Sequence, residues 1–307
     1  MLGRSIVSEL ENRRIEFTAP ARSELDLFDG PAVKSYISGY EPTHIVHAAA
    51  MVGGIEANMK APVEFLSQNL RTDLNLFEAA LDIRIPNLLY MSSSCIYPVS
   101  SDNPKTEDMV LTGKPEITNI GYALSKIIGM QYLTSVAMSQ SLAWRTLILS
   151  NMYGPGDHFN TTKSHLLASI ISKVGDAIEN GDNEIVMWGE GLARREFTFV
   201  EDVAKFIGSN LGNIVIFPQN MNLGYGEDYS VKEYYERVLN SFGVEMRVKP
   251  DLSKPVGIMQ KLMDSSRAKD FGWSNLTGLE EGLKKTVDWY KSYLTNSSKD
   301  SRGAAND

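Results

Sequence analysis

The chain has 307 residues, of which 43% are hydrophobic and 22% charged, a composition typical of a globular protein with one large or two modest domains. Its formal net charge of -8 argues against non-specific binding to nucleic acid, and no stretch approaches the roughly 20 apolar residues of a membrane-spanning helix. With a single cysteine and no secretory signal in residues 1 to 14, the sequence predicts a cytoplasmic protein without a membrane partner.

Strand-like and helical segments alternate through the first half of the chain. Short apolar runs predict strands, and apolar residues at helical spacing predict the helices between them. This alternation favours a parallel sheet with right-handed crossovers, which binds nucleotides at the carboxyl ends of its strands. The predicted strands are 15–18, 44–48, 87–91 and 143–149, and the predicted helices are 4–12, 62–82 and 121–138.

Beyond about residue 155 the elements become shorter and more mixed. The pattern predicts helices near 164–180, 200–211, 230–241 and 277–294, with strands near 184–187, 220–223 and 245–248. We therefore expect an α/β protein with a Rossmann-type, doubly wound parallel sheet and a smaller α/β substrate-binding domain. The expected divisions are 1–162 for the dinucleotide domain, which also receives segments near 195–223, then 163–295 for the interleaved substrate domain. Residues 296–307 are expected to be a disordered tail.

The first residues lack part of the pattern that a dinucleotide fold predicts. Such sheets begin with an apolar strand and a glycine-rich turn that leads into a helix. Here Gly3 opens an amphipathic helical segment, while the preceding strand and the first two glycines of the fingerprint are missing. The hypothesis is that the chain starts about a dozen residues late; the alternative is that this helix opens a different fold.

Three polar residues have the spacing of a carbonyl-reducing site. Tyr122 and Lys126 are four residues apart on a predicted helix, so their side chains share one face. The Lys126 cation is expected to lower the pKa of the Tyr122 phenol from about 10, which makes the phenol a proton donor to a carbonyl oxygen. Ser93 follows a predicted strand and is expected to bind the same oxygen. The three together are more specific than the Tyr-x-x-x-Lys spacing alone.

Motifs along residues 1 to 294 resemble the extended short-chain dehydrogenase/reductases, and among them the GDP-L-fucose synthase family. The resemblance rests on a series of short matches: Ala48–Ile55, Ser93–Pro98, Tyr122 with Lys126, Asn151–Pro155, Ser164–His165, Trp188–Gly191, Arg195–Phe197, Lys254–Pro255 and Phe271–Trp273. That family epimerises carbons 3 and 5 of GDP-4-keto-6-deoxy-D-mannose and reduces carbon 4 with NADPH, giving GDP-L-fucose. The resemblance implies this activity, a GDP-sugar substrate and a homodimer for the present chain.

The resemblance also implies roles for Cys95 and His165. Removing a proton from a carbon beside the ketone leaves an enolate, whose charge Tyr122 and Ser93 are placed to stabilise. Epimerisation then needs a base on one face and an acid on the other, and the family assigns these roles to Cys95 and His165. From the sequence, extended backbone over Ser93 to Cys95 would point both side chains to one side. The alternative for Cys95 is a small buried apolar residue.

The cofactor is expected to be NADPH rather than NAD. Arg22 follows the second predicted strand, where NAD-selective folds place an acid, and an arginine suits a 2′-phosphate. Further cofactor contacts are expected from Gly3, Ala49, Asn151 and Met152, together with Lys126.

Cations in the second half are candidates for the sugar-nucleotide phosphates. Arg195 matches the family's substrate-binding arginine, Lys254 comes next, and Lys163 and Lys261 are weaker candidates; Trp188 offers an apolar wall. Two positions depart from the family segment, since Val256 and Gln260 replace an acid and an arginine. These departures leave open a relative that acts on another GDP-4-keto deoxyhexose or heptose, with or without epimerisation.

Two further functions stay open. A 4-epimerase or simple 4-ketoreductase needs only the Ser-Tyr-Lys residues, and a nucleotide-binding scaffold would need no chemistry at all. The apolar faces of 62–82 and 121–138 suit a four-helix interface between two copies. Four histidines and one cysteine show no metal-ligand spacing, so no metal is expected.

Overall fold

A computed structural model describes residues 1–100, 102–159, 164–254, 256–274 and 276–303, with side chains described as far as Thr295. The helices are α1 Leu2–Asn12, α2 Gly30–Tyr40, α3 Ile55–Lys60, α4 Pro62–Asp82, α5 Ile120–Gln140, α6 Leu166–Asn180, α7 Val200–Asn210, α8 Val231–Phe242, α9 Ser266–Lys269 and α10 Leu279–Gly303. The strands are β1 His44–His47, β2 Asn87–Ser93, β3 Ala143–Leu149, β4 Asn151–Tyr153, β5 Glu184–Trp188, β6 Arg194–Phe199, β7 Asn220–Leu223, β8 Asp228–Ser230, β9 Arg247–Asp251 and β10 Gln260–Lys261.

Within these residues the main sheet has four parallel strands in the order β1-β2-β3-β7. Alternate residues of β2 enter two different cores, because successive side chains of a strand point to opposite faces. Leu89 and Met91 pack against α1 and α7, whereas Leu88 and Tyr90 pack against α2, α4 and α5. Helices therefore cover both faces, which confirms the predicted doubly wound α/β fold.

The second half builds a smaller layer beside this sheet. Strands β10, β6 and β4 run parallel, β8 pairs antiparallel with β6, and β5 pairs with β9. A separate apolar core joins α6, β5, α8 and α10, and includes Ile171, Met187, Val238 and Val287. Because β7 returns to the main sheet while β6 pairs with β4, the two layers are interleaved along the chain. The predicted domain divisions stay a prediction.

One predicted strand is wrong. Residues 15–18 have irregular backbone and are mostly exposed, although Ile15 packs on the core beside α1. A strand exists only where its backbone hydrogen bonds find a partner. Among the described residues β1 pairs with β2 on one side only, and residues 15–18 do not pair with its other edge.

The end of the chain continues as α10 to Gly303, so this helix enters the segment predicted as a disordered tail. Residues 304–307 lie outside the described part, and the tail stays a prediction. None of the described helices is both long enough and apolar enough to cross a membrane.

Candidate active site

The site begins where β2 ends. Backbone after Ser93 enters one turn of 3-10 helix, Ser94–Ile96, and the Ser93 hydroxyl caps that turn by accepting a hydrogen bond from the Cys95 amide. The Cys95 thiol also donates to the Ser93 oxygen, at 2.9 Å. The expectation of extended backbone at Cys95 is therefore wrong: the capped turn, not strand alternation, brings the sulfur beside Ser93.

The Tyr122 phenol contacts the same serine. Tyr122 lies in the first turn of α5, and Ser93 is a hydrogen-bond partner of its phenol. Its ring packs edge-on against Phe65 of α4, with centroids 6.5 Å apart. Burial raises the pKa of Tyr122, with a further increase from the neighbouring charge of Cys95. The expected lowering is thus not found, and the phenol keeps its proton, as a donor must.

Lys126 lies one helical turn beyond Tyr122 on α5 and is fully buried. Its ammonium is 6.0 Å from the Tyr122 ring centroid and 4.4 Å from that of Tyr90 on β2. Burial lowers the pKa of Lys126, while the charges of Asp73 and Cys95 raise it. The helix spacing thus places Tyr122 and Lys126 on one face, as the sequence predicts.

His165 is the residue that immediately precedes α6, and it is half-buried. Burial lowers the pKa of its imidazole, and the charge of Lys261 lowers it further. For Cys95, burial raises the thiol pKa, and Lys261 is the largest opposing influence. Lys261 therefore acts electrostatically on both groups to which the resemblance gives proton-transfer roles, although the sequence proposed it only as a phosphate ligand.

Burial lowers the pKa of Lys261, and the charge of Glu196 is among the influences that raise it. This buried carboxylate accepts backbone hydrogen bonds from Gly226, at 2.7 Å, and from Met263, at 3.1 Å. It therefore ties β6 to the turn after β7 and to the residues just beyond β10, which ends at Lys261. Burial raises the pKa of Glu196 to about 7.

Two lysines flank the indole of Trp188. The ammonium of Lys254 is 5.4 Å from the ring centroid, and that of Lys173 is 5.8 Å from it. Lys173, which lies within α6, was not among the predicted ligands; its signal was that it is the single basic residue of this helix. Lys163, a predicted ligand, lies outside the described residues.

Arg195 lies on β6, and its guanidinium donates to the backbone oxygen of Val256 at 3.2 Å. Burial lowers the pKa of this arginine, while the charge of Glu116 raises it. Val256 is one of the two departures from the family pattern. The other, Gln260, donates a hydrogen bond from its side-chain amide to Asp228 at 2.7 Å. Both substitutions therefore lie in the segment that borders Arg195.

The residues expected to bind a dinucleotide lie along the carboxyl edge of the main sheet. Ala49 follows β1, and Asn151 and Met152 follow β3, near the strand end that carries Ser93. Asn151 donates its amide to the Glu196 carbonyl at 3.0 Å, which fixes its side chain. These positions fit the nicotinamide half of a cofactor.

The residues expected to hold the pyrophosphate and adenine half of the cofactor, Gly3 and Arg22, make fewer contacts with the rest of the protein. No side chain caps the N-terminus of helix α1, and a Cβ added to Gly3 would meet no heavy atom within 4 Å. Backbone donors and open space are what a pyrophosphate needs. Arg22 is exposed in a turn. In the described part of the chain, no group of three or more His, Cys, Asp or Glu side chains is placed to hold a metal ion.

Comparisons with known proteins place this site in context. The chain is 40% identical to the GDP-L-colitose synthase of Yersinia pseudotuberculosis over 96% of both sequences. It is 38% identical to the GDP-L-fucose synthase of Azorhizobium caulinodans, covering 94% of this chain and 93% of that one. Among solved structures, a GDP-6-OMe-4-keto-L-xylo-heptose reductase from Campylobacter jejuni superposes with a TM-score of 0.88, at 25% identity and 95% coverage of each chain.

A sequence profile of the NAD dependent epimerase/dehydratase family matches residues 1–224, which include the main sheet and the positions of Ser93, Tyr122 and Lys126. With that match, and with relatives of this identity over nearly the whole chain, the protein belongs to the NAD dependent epimerase/dehydratase family.

Proposed function

We propose that this protein converts GDP-4-keto-6-deoxy-D-mannose to GDP-L-fucose, by epimerisation at carbons 3 and 5 followed by NADPH-dependent reduction at carbon 4. The observation that supports this most is the position of Ser93, whose hydroxyl contacts both the Cys95 thiol and the Tyr122 phenol. A group able to move a carbon-bound proton thus lies beside a group able to protonate the ketone oxygen. The relatives named GDP-L-fucose synthase favour the same activity.

Epimerisation uses the acidity of carbons beside a ketone. Cys95, as thiolate, takes the proton from carbon 3 or 5, and the electron pair moves to the carbonyl oxygen, which Tyr122 and Ser93 stabilise as hydrogen-bond donors. His165 returns a proton to the opposite face of the carbon. Because burial favours the neutral thiol, the Lys261 cation supplies the charge that makes the thiolate accessible.

Reduction uses the same oxygen contacts. NADPH, when bound, supplies the hydride to carbon 4, and Tyr122 gives its proton to the oxygen. Lys126 stabilises the phenolate that remains, because a cation in a buried site lies close to the developing charge. Gly3, Arg22, Ala49, Asn151 and Met152, with Lys126, are the residues that would hold the cofactor.

The nucleotide end of the substrate is assigned to the second half of the chain. Trp188 provides an aromatic face, and Lys173 and Lys254 provide cations on either side of it. Arg195 provides a further cation closer to the sugar. Cations at these places offset the repulsion between a diphosphate and a chain with a formal net charge of -8.

A second candidate is reduction, with or without epimerisation, of another GDP-4-keto deoxyhexose or heptose. Val256 and Gln260 support it, because they alter the segment beside Arg195 where the GDP-L-fucose synthase pattern has an acid and an arginine. The relative named GDP-L-colitose synthase and the solved heptose reductase support it as well.

The deciding experiment incubates the purified chain with GDP-4-keto-6-deoxy-D-mannose and NADPH and identifies the sugar product by NMR. Stoichiometric NADPH oxidation with formation of GDP-L-fucose supports the first candidate. NADPH oxidation that yields only the C4-reduced sugar, or that occurs only with another GDP-4-keto sugar, supports the second. No NADPH oxidation with any of these sugars contradicts both, and interconversion at carbon 4 with no net oxidation indicates a 4-epimerase.

The protein is further proposed to act in the cytoplasm as a homodimer. Val63 on α4 and Leu124 and Ile128 on α5 are apolar side chains that are 70%, 37% and 43% exposed. A second copy of the same two helices would cover them. Sedimentation of the wild type and of Ile128→Glu tests the dimer, since a charge at this place is expected to yield monomers. A wild type that sediments as a monomer contradicts it.

A further inference from the structure

A buried polar network lies behind the candidate active site, and the mechanism above does not use it. Its members come from three elements: His47 from β1, Asp73 from α4 and Tyr90 from β2. Their exposed fractions are 4%, 1% and 0%. The His47 Nε2 donates to Asp73 Oδ1 at 2.8 Å, and the Tyr90 hydroxyl donates to Asp73 Oδ2.

The packing of α5 shows that the network is built into the fold. Gly129 lies one turn beyond Lys126, and a Cβ added to it would lie 2.5 Å from the Tyr90 hydroxyl. A larger residue would therefore push Tyr90 off Asp73 or lift α5 away from the sheet. The Lys126 ammonium lies over the ring of this same Tyr90, 4.4 Å from its centroid.

A carboxylate buried this deeply is costly unless it is paired, and the same holds for a buried ammonium. Burial by itself raises the pKa of Asp73, yet the charge of Lys126 and the hydrogen bonds from His47 and Tyr90 outweigh burial, so that the pKa is lowered. For Lys126, burial lowers the pKa, and Asp73 is the largest influence that raises it. Each charge thus favours the ionised form of the other.

We propose that Asp73, held by His47 and Tyr90, is the counter-ion of Lys126, and that as a positioning residue it keeps this ammonium charged beside Tyr122. The role for Tyr122 rests on the proposed function, but the coupling between Asp73 and Lys126 does not. Without the carboxylate, the ammonium would lose its proton more easily in the buried site, and the Tyr122 phenolate would lose its stabilising cation.

The first test needs no substrate. Lysine labelled at the ε-carbon is titrated by NMR in the free protein, with the Lys126 signal assigned from its absence in Lys126→Met. The variant Asp73→Asn keeps the size of the side chain and removes its charge. We expect it to lower the pKa of Lys126 by about one unit or more, a tenfold change in the proton dissociation constant. An unchanged titration overturns the proposal.

A matched variant separates charge from packing. Asp202 is also a buried carboxylate, and it accepts hydrogen bonds from the Thr277 amide and hydroxyl at 2.7 and 2.8 Å, on the opposite face of the main sheet. Asp202→Asn should leave the Lys126 titration unchanged, and Asp73→Glu, which retains the charge, should keep it near the wild-type value. A Lys126 shift as large in Asp202→Asn as in Asp73→Asn would contradict a specific counter-ion.

The second test uses the pH dependence of NADPH oxidation. The titratable groups around Lys126 are Asp73 from α4 and Cys95 from the turn, whose charges act on it, and Tyr90 from β2 and Tyr122 on α5, whose rings lie beside it. His47 from β1 is linked to it through its hydrogen bond to Asp73. Because Lys126 must be charged, activity falls as pH rises through its pKa, and Asp73→Asn is expected to move this fall to lower pH. An alkaline limb that stays in place contradicts the role, while a chain that turns over no substrate leaves the NMR result to decide the coupling.

If Asp73→Asn fails to fold, the reciprocal variant decides. In Lys126→Met the carboxylate loses its cation, so the pKa of Asp73, followed through its carboxyl-carbon signal, should rise. A carboxyl titration that matches the wild type would overturn the proposal.

Discussion

The substitution Glu196→Gln tests the electrostatics of the site through stability. Glu196 is 1% exposed, and its pKa of about 7 lies well above its ordinary value of 4.5. A raised carboxyl pKa means that the folded protein holds this proton more tightly than the unfolded chain does. The stability that this bound proton contributes is complete below about pH 4.5 and is lost as pH rises through 7. The difference between the two values corresponds to roughly 3 kcal/mol.

The assay is urea unfolding of wild type and variant at a series of pH values from about 5 to about 8, compared as free energies of unfolding. Glutamine cannot titrate, so we expect the wild type to lose up to roughly 3 kcal/mol relative to the variant across this range. The glutamine amide accepts only one of the two backbone hydrogen bonds, which lowers the variant's stability by a similar amount at every pH. The exposed Glu236→Gln serves as the control and should follow the wild type. Curves for wild type and Glu196→Gln that run parallel would refute the reasoning.

Three further predictions concern the site and its frame. Tyr122→Phe removes the proton donor, and we expect NADPH oxidation to fall by about 10²-fold or more while the fold is kept; oxidation within about threefold of wild type would contradict the role of the phenol. Lys173→Ala should raise KM for the GDP-sugar by about tenfold with little change in kcat, because it removes the proposed phosphate contact, which would be made before and during reaction, whereas Lys34→Ala, far from Trp188, should change neither. In Gly121→Ala the new Cβ would lie 2.3 Å from the Pro62 carbonyl oxygen, so urea unfolding should show a loss of about 1–3 kcal/mol, and unchanged stability would contradict this packing of α5 on α4.

The elements that local pattern specifies were predicted closely. Helix α4 and strand β3 have the predicted bounds, because their apolar spacing is regular over many residues. The strand at residues 15–18 was wrong because pairing depends on a partner elsewhere in the fold, which a local pattern does not contain. The same limit explains why β4 and β6 were not predicted as strands. Both are short, and each is a strand because it pairs with the other.

The site was predicted as a set of residues and not as an arrangement. Motif spacing brought together Ser93, Tyr122 and Lys126, and the structure places all three at the end of β2 and the start of α5. The turn that carries Cys95 was not predicted. A serine can either continue a strand or cap a helical turn, and the sequence alone does not show which of the two Ser93 does. The proposed pairing of Asp73 with Lys126 was missed for a different reason: buried charges leave no period in a sequence, and the two groups come near each other, on either side of Tyr90, only after α4 and α5 pack.

Transfer of a carbon-bound proton by Cys95 is the central claim, and solvent exchange measures it most directly. The sugar GDP-4-keto-6-deoxy-D-mannose is incubated in deuterium oxide without NADPH, and incorporation at carbons 3 and 5 is followed by NMR for the wild type and for Cys95→Ser. Serine keeps the small polar side chain but is a far weaker base, so we expect exchange to slow by about 10²-fold or more. Exchange by Cys95→Ser at the wild-type rate would contradict the account.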